Sequence, residues 1–457
     1  MLTESDALTS PQDLSVAFDT LDGSSRPVDE RERIGALDAL RGFALLGILL
    51  MNIVAMGMNA AAYDNPTVTG GSSGANLWVW TVMHVLAEGK MRCLFSLVFG
   101  ASVILLTTRL ESRADAADIY YRRTLWLLLF GIVHAYLLWE GDILYPYALC
   151  GLVLYPFRKL RAKTLIIIGS ILLVLNAGAY IGHGFAQRGM IEKGQAAERA
   201  AASGKALSED EQDARQEYQQ FRRFAQPTAE QLTKDAEEWR SHNPLRVIGA
   251  RAKFVLFVHS FPYYHPFNWD IWCMMLIGMG LMKLGVLAAE KPTRLYALFV
   301  LIGYGVGIPV NSYTAWLMIS SNFDPVLHEF AASTYDLGRL SIALGHLGLI
   351  MLIVKSDWFR GAMARLAAVG QMAFSNYVLH SMITAFLFTG YGFQLYGHLQ
   401  RYQLYIVVLA IWVINLIVSP IWLRQYRFGP LEWCWRSLTY WKRQPMRRMS
   451  ADAVLTA

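Results

Sequence analysis

Charge is scarce in this chain: Asp, Glu, Lys and Arg make up 17% of its 457 residues, against 54% hydrophobic. Soluble domains carry about 25% charged residues and space their apolar residues periodically. Here the apolar residues come in long runs, which excludes an ordinary soluble domain. Cysteine is also sparse. The four present, Cys93, Cys150, Cys273 and Cys434, stand alone in apolar surroundings with no Cys-x-x-Cys pair. The cysteines thus indicate neither a zinc site nor a redox dithiol, and no metal is expected. No internal repeat is visible. Residues 1–36 have neither an apolar core nor a small-residue cleavage site, so they read as a cytoplasmic tail rather than a signal peptide. The net charge of +6 sits beside the apolar runs rather than in one patch. This pattern suits membrane topology and gives no reason to expect a nucleic-acid partner.

What is present is a series of runs long enough for a bilayer. Residues 37–58 are about 22 in number, sufficient for one helix across a hydrocarbon core of about 30 Å. After a Gly/Ser/Asn/Thr-rich loop at 59–75, a short aromatic piece at 77–86 reads as an interfacial or re-entrant helix. Further spans are predicted over 93–110, 124–139, 143–157 and 164–185, and then over 269–287, 295–319, 337–354, 366–388 and 404–423. Between the two groups lies a stretch dense in Glu, Gln, Lys, Arg and Ala, read as a solvent-exposed helical insertion. Residues 245–261 mix Arg246, Arg251 and Lys253 with Phe and Val, an interfacial amphipathic pattern. The domain organisation expected is a tail (1–36), a first membrane bundle (37–187), a charged insertion (188–245), a second bundle (246–424) and a basic cytoplasmic tail (425–457).

Loop charge supports that count. With the N-terminus inside, the inner loops hold Arg109, Arg113, Arg122 and Arg123, then Arg158, Lys159, Arg161 and Lys163, then Lys283, Lys291 and Arg294, then Lys355, Arg360 and Arg365. The short outer loops hold Asp64, Glu140, Asp142, Asp324 and Glu329 and almost no cations. By the positive-inside rule this predicts an all-α bundle of about ten spans, both termini cytoplasmic and the insertion outside. Lys90 and Arg92 break the pattern, standing at the outer start of the second span.

Several polar residues lie inside the spans, where they cost free energy unless they face a bundle interior or a wet cavity. Arg41 and Asn52 share one face of the first span, about 16 Å apart at 1.5 Å per residue, and Asp38 is spaced to pair with Arg41. The plain reading is that Arg41 snorkels to the headgroups while Asn52 bonds a neighbouring helix. The functional reading is a polar stripe leading inward. His134 lies in the outer half of the third span, followed by Trp139-Glu140-Gly141-Asp142 at its outer end. A lone membrane histidine is more often a hydrogen-bond partner than a base, but a nearby carboxylate could orient this one. Asn376 adds an amide to the ninth span. His346 and His380 read as packing residues.

The stretches LDALRGFALLGILLMNI, KMRCLFSLVFGAS, FGIVHAYLLWEGDILYPYAL, IWCMMLIGMGLMKLGVL, GQMAFSNYVLHS and SPIWLRQYRFGPLEWCWRSLTYW resemble the bacterial YeiB-like inner-membrane family, domain of unknown function 418. The resemblance covers nearly every span outside the insertion and implies architecture more than activity. More loosely, the first span resembles transmembrane acyltransferases of the acyltransferase-3 and heparan-glucosaminide acetyltransferase types. Those share the Asp…Arg-Gly opening, and the heparan enzyme is similar to this chain in having Asn at the place of Asn52. The implied expectation is acyl transfer from cytoplasmic acyl-CoA to a small polar or sugar-like acceptor outside. His134 would be the base, Asn52 a polarising donor, and Asp142 a tuning or acceptor-binding group at the cavity mouth. Asp38, Arg41, Lys90, Arg92 and Asn376 are the candidate binding residues. A transporter for a small solute, built on the same buried polar groups, is the alternative. An accessory protein whose polar residues only join helices is the third.

Overall fold

The computed structural model describes residues 35–260, 269–356 and 358–448. All but the last two residues of the expected 1–36 tail, the end of the 245–261 segment and the chain beyond Arg448 lie outside the described residues. Among those described there is no strand, only one isolated antiparallel bridge between Tyr426 and Arg447. The protein is all-α.

The helices are α1 (Gly35–Gly57), α2 (Gly74–Leu86), α3 (Lys90–Arg109), α4 (Ala116–Leu137), α5 (Leu144–Leu154) and α6 (Ala162–Ala202). Next come α7 (Glu209–Ala225), α8 (Ala229–Trp239), α9 (Pro244–Val258), α10 (Trp269–Lys283), α11 (Thr293–Ser320) and α12 (Pro325–Ala332). The last are α13 (Tyr335–Ser356), α14 (Arg360–Gln371), α15 (Ala373–Phe388), α16 (Arg401–Gln425) and α17 (Pro430–Tyr440). Six helical stretches are long and apolar enough to cross a membrane: α1, the consecutive α2 and α3, α6, α11, α13 and α16.

Their burial explains the layering. α1 is apolar almost all round and nearly all enclosed, so it forms the centre of the bundle, against α3, α13, α14, α15 and α16. α6, α11 and α16 instead expose aliphatic rows such as Ile167, Ile171 and Val174, or Ile406, Leu409 and Val413. In a membrane protein such rows are the lipid-facing side. α1 crosses α14 in backbone contact because both carry glycine there. A Cβ on Gly42 would lie 2.0 Å from the Leu366 carbonyl oxygen, and one on Gly370 would lie 1.9 Å from that of Asp38. Basic loops gather at one end, which we call the basic end. Lys283 Nζ donates to the carbonyls of Arg158 (2.6 Å) and Leu160 (2.7 Å), and Lys355 Nζ donates to that of Ala289 (2.9 Å). Lysines at such termini satisfy carbonyls that a helix end leaves unpaired.

Local structure departs from the sequence expectation at four places. The run at 143–157 contains an eleven-residue helix followed by a 3₁₀ turn, Tyr155–Lys159, where Pro156 supplies no N–H. The run at 366–388 is divided between α14 and α15, which meet at Met372. α6 continues for 41 residues through position 188 without a break, so the insertion begins on the same helix as the preceding span. Its helices α7 and α8 then start at capping boxes, Ser208 with Glu211 and Thr228 with Gln231. Finally, α9 is not a purely interfacial helix. Arg251 is 1% exposed, with Nη1 donating to the Leu137 carbonyl (2.7 Å) and its guanidinium 3.5 Å from Glu140. The last carbonyls of α4 draw this cation inward.

The insertion is also fastened to the end of the bundle opposite the basic one. Asp235 of α8 accepts from the Asn59 amide (3.0 Å) and the Tyr396 hydroxyl (2.9 Å), and Gly390 N donates to the Trp239 carbonyl (2.9 Å).

Candidate functional site

The end of α4 and the start of α5 form the first part of the site. Gly141 lets the chain turn tightly over the Trp139 ring, since a Cβ there would meet it at 2.2 Å. Asp142 then lies just before α5, and its Oδ2 accepts from Tyr145 N at 2.7 Å, an N-terminal cap that suits a carboxylate. The other oxygen, Oδ1, is 2.8 Å from His134 Nδ1. His134 Nε2 is 2.9 Å from Ser381 Oγ, on α15. His134 and Ser381 are buried, and the Asp142 side chain has no exposure at all. Asp142 is therefore enclosed, not exposed at a mouth as expected, because the α5 N-terminus and the imidazole take its two oxygens. The Nδ1–Oδ1 contact is close but not aligned as a hydrogen bond, and a proton on Nδ1 would leave the Nε2 lone pair to the serine hydroxyl.

Beside this relay, towards the basic end, lies a cavity of about 260 Å³. Its charged lining is Asp38, Arg41, Arg109, Arg123, Glu432 and Arg436, with Phe95, Phe99 and Leu127 among its apolar wall. Arg41 pairs with Asp38 at 2.5 Å and donates to Ser102 Oγ at 3.2 Å and the Gly370 carbonyl at 3.5 Å. Arg123 lies 3.7 Å over the Trp435 ring, and Trp435 Nε1 donates back to the Arg123 carbonyl at 2.8 Å. Glu432 accepts from Phe374 N (2.7 Å), Ser375 N (3.1 Å) and Ser375 Oγ (2.5 Å). Its carboxylate thus occupies the N-terminus of α15, the helix that carries Ser381. Tyr377 stands between cavity and relay. It lines the one, packs 4.9 Å from the His134 ring, and takes a hydrogen bond from Ile143 N at 3.1 Å.

The remaining residues singled out in the sequence lie elsewhere. Asn52 is half-buried on α1 and lines neither this cavity nor the small polar one beside His84. Asn376 donates to Ser419 Oγ (3.0 Å) and the Val369 carbonyl (3.2 Å), joining α15 to α16. Lys90 is fully buried, donating to the His84 carbonyl at 2.6 Å and lying 3.9 Å from Glu88. Arg92 is 2.9 Å from Asp270, which also pairs with Arg339, and Arg339 pairs with Asp336. Asn176 donates to that same Asp336 at 2.7 Å. Two arginines and two aspartates thus form a neutral network, buried except at the partly exposed Arg92, and this accounts for the cation at position 92. His346 bonds Tyr304 (2.7 Å) and the Leu86 carbonyl (2.9 Å), and His380 bonds Asn415 (2.5 Å).

Sequence reading missed Ser381 and Glu432. Ser381 had no signal beyond a serine one helical turn past Tyr377. Glu432 sat in plain view in the segment RFGPLEW, where an acid inside an aromatic stretch was the available cue. Among the described residues no three His, Cys, Asp or Glu side chains converge as metal ligands would.

Fold and site together describe an all-helical protein with membrane-type helices and a buried cluster of His134, Asp142 and Ser381 beside a basic cavity. Residues 281–442 match the family model described as "Protein of unknown function (DUF418)". The chain is 30% identical to the uncharacterized protein YeiB of Escherichia coli (strain K12) over 423 residues, 89% of this chain and 96% of that one. It is 29% identical to the uncharacterized protein YxaH of Bacillus subtilis (strain 168) over 443 residues, 93% and 98% of the two chains. The chain belongs to the YeiB-like DUF418 family.

Proposed function

We propose that this protein is a membrane acyltransferase of about ten spans, its basic end in the cytoplasm, moving an acyl group from acyl-CoA to a small polar acceptor on the other side. The observation that carries the reading is a histidine lying between a carboxylate and a hydroxyl, next to a cavity lined by four arginines. A histidine so placed is a general base. Arginines at a cytoplasmic mouth suit the phosphates of CoA, since the guanidinium fork matches phosphate geometry. The bilayer would be its setting, and no metal is needed for the chemistry. Asn52 is too far along α1 from the cavity lining to share it in this conformation, so a role for its amide requires the acyl chain to pass deeper than the cavity.

The test is acyl-CoA binding and single-turnover transfer by the purified protein. His134→Ala should bind acyl-CoA and fail to transfer, whereas Arg41→Gln should weaken binding. If the wild type neither binds nor turns over any donor in a broad panel, the reading falls. Transport then moves ahead, and the Arg92–Asp270–Arg339–Asp336 network is the observation in its favour, because charged networks inside membranes often line solute or proton paths.

A further inference from the structure

We infer that Ser381 is the nucleophile of the transfer and carries the acyl group as a covalent ester between donor and acceptor; this rests on the acyl-transfer reading above. Membrane-helix serines and threonines ordinarily return their hydroxyl to the carbonyl one turn back. Here Ser96 does so at 2.9 Å, Ser102 at 2.9 Å, Thr384 at 2.9 Å and Thr389 at 2.8 Å. Ser381 is the exception among these, its corresponding contact with the Tyr377 carbonyl stretched to 3.5 Å while the hydroxyl lies 2.9 Å from His134 Nε2. A comparison within the chain shows what is particular. His84 Nε2 also meets a hydroxyl, Thr314 Oγ1 at 3.1 Å, but that threonine donates to the Asn311 carbonyl at 2.9 Å. At His134 the far ring nitrogen lies 2.8 Å from the Asp142 carboxylate, and the Ser381 hydroxyl lies 2.9 Å from the near one. Carboxylate, imidazole and hydroxyl in that order are what converts a serine into a nucleophile, and the arrangement is recognised by geometry, not by chain order.

Cavity size and position favour a relay over direct transfer. About 260 Å³ lies below the roughly 300–1,000 Å³ usual for pockets that enclose one drug-sized ligand. It is of a size for a thioester arm entering from the basic end, while the acceptor in this reading comes from the opposite end of the bundle. A covalent ester lets donor and acceptor use the site in turn. In the first step Ser381 Oγ attacks the thioester carbonyl and His134 Nε2 takes the hydroxyl proton. The C–S bond breaks, and the thiolate leaves as CoA thiol with that proton. In the second, an acceptor hydroxyl gives its proton to His134 and attacks the ester carbonyl. The C–Oγ bond breaks, Ser381 recovers the proton, and the acylated acceptor departs. Access from the cavity runs past Tyr377, whose ring must swing aside.

The test uses the full-length purified protein in lipid nanodiscs with a panel of radiolabelled acyl-CoAs and no acceptor. The expected result is a burst of about one CoA per protein and acyl label on the peptide containing Ser381 by mass spectrometry. Ser381→Ala should give neither. Ser381→Cys should load a thioester that neutral hydroxylamine releases, which guards against misreading a misfolded alanine variant. A wild type that transfers acyl groups while Ser381→Ala does so at the same rate overturns the relay and leaves the acyltransferase reading standing. Label mapped to any other residue overturns the relay as well. A wild type that releases no CoA and transfers nothing overturns both.

Discussion

Removing the Glu432 carboxylate should loosen α15, and the cost can be worked out from its contacts. In Glu432→Ala two backbone N–H groups, of Phe374 and Ser375, lose their acceptor, and the Ser375 hydroxyl loses a partner at 2.5 Å. A buried donor left unpaired costs about 1–3 kcal/mol. Loss of a negative charge at a helix N-terminus adds about 0.3–1 kcal/mol. Because Glu432 lines the cavity, water can reach the exposed N–H groups and hold the cost near the low end. A destabilisation of about 2–4 kcal/mol is therefore expected. Glu432→Gln keeps one oxygen for the N–H groups and should cost about 1 kcal/mol. Reversible unfolding in mixed micelles, followed by the fluorescence of the 14 tryptophans, measures both. An alanine variant within about 0.5 kcal/mol of wild type, or a glutamine variant as damaged as alanine, would refute the account of Glu432 as the cap of α15.

Gly42→Val should cost about 1–3 kcal/mol or more by forcing α1 and α14 apart, read as lowered thermal stability of the purified protein; unchanged stability would contradict the backbone contact at Leu366. Asp142→Asn should stay folded while transfer falls on the order of 10³–10⁴-fold, since an amide cannot hold the same imidazole tautomer; single-turnover rates decide it. Arg339→Met should destabilise by about 3–5 kcal/mol by leaving buried carboxylates unpaired. The double variant Arg339→Met/Asp336→Asn should recover part of that loss because Arg92 still neutralises Asp270, and a double no more stable than the single would deny the network its charge balance. A reporter fused near Gln212 should be active only if exported, and strong cytoplasmic-reporter activity there would overturn the ten-span topology.

Helix content was legible in the sequence because lipid leaves so few alternatives: long apolar runs must pair their backbone internally, and helices do that. The helix breaks were less so. The run at 143–157 looked continuous because Pro156 can sit at a helix start as readily as it ends one. His134 and Asp142 were readable as neighbours in space since they stand only eight positions apart, with a turn-forming glycine between. Ser381 was not, because a membrane serine usually bonds its own helix, and only the α4–α15 packing turns this one away. Arg251 misled for a related reason. Its burial depends on the carbonyl of Leu137, far back in the chain, and no local pattern reports such a partner. Lys90 and Arg92 were visible as misplaced cations, but Asp270, Arg339 and Asp336 came together only through the fold.

The attachment of the insertion has a consequence for how distant parts of the molecule influence one another. Asp235 of the insertion holds both the end of α1 and Tyr396, and Arg251 of α9, the helix into which the insertion runs, grips the last turn of α4 within a few residues of His134. Any molecule that bound the insertion more tightly with these fastenings released would spend part of its binding free energy on releasing them. Thermodynamic reciprocity then obliges occupancy of the relay to alter that molecule's affinity by the same factor. Titrating such a molecule against loaded and unloaded protein would give a single coupling constant, and its sign would report whether loading tightens or frees the insertion.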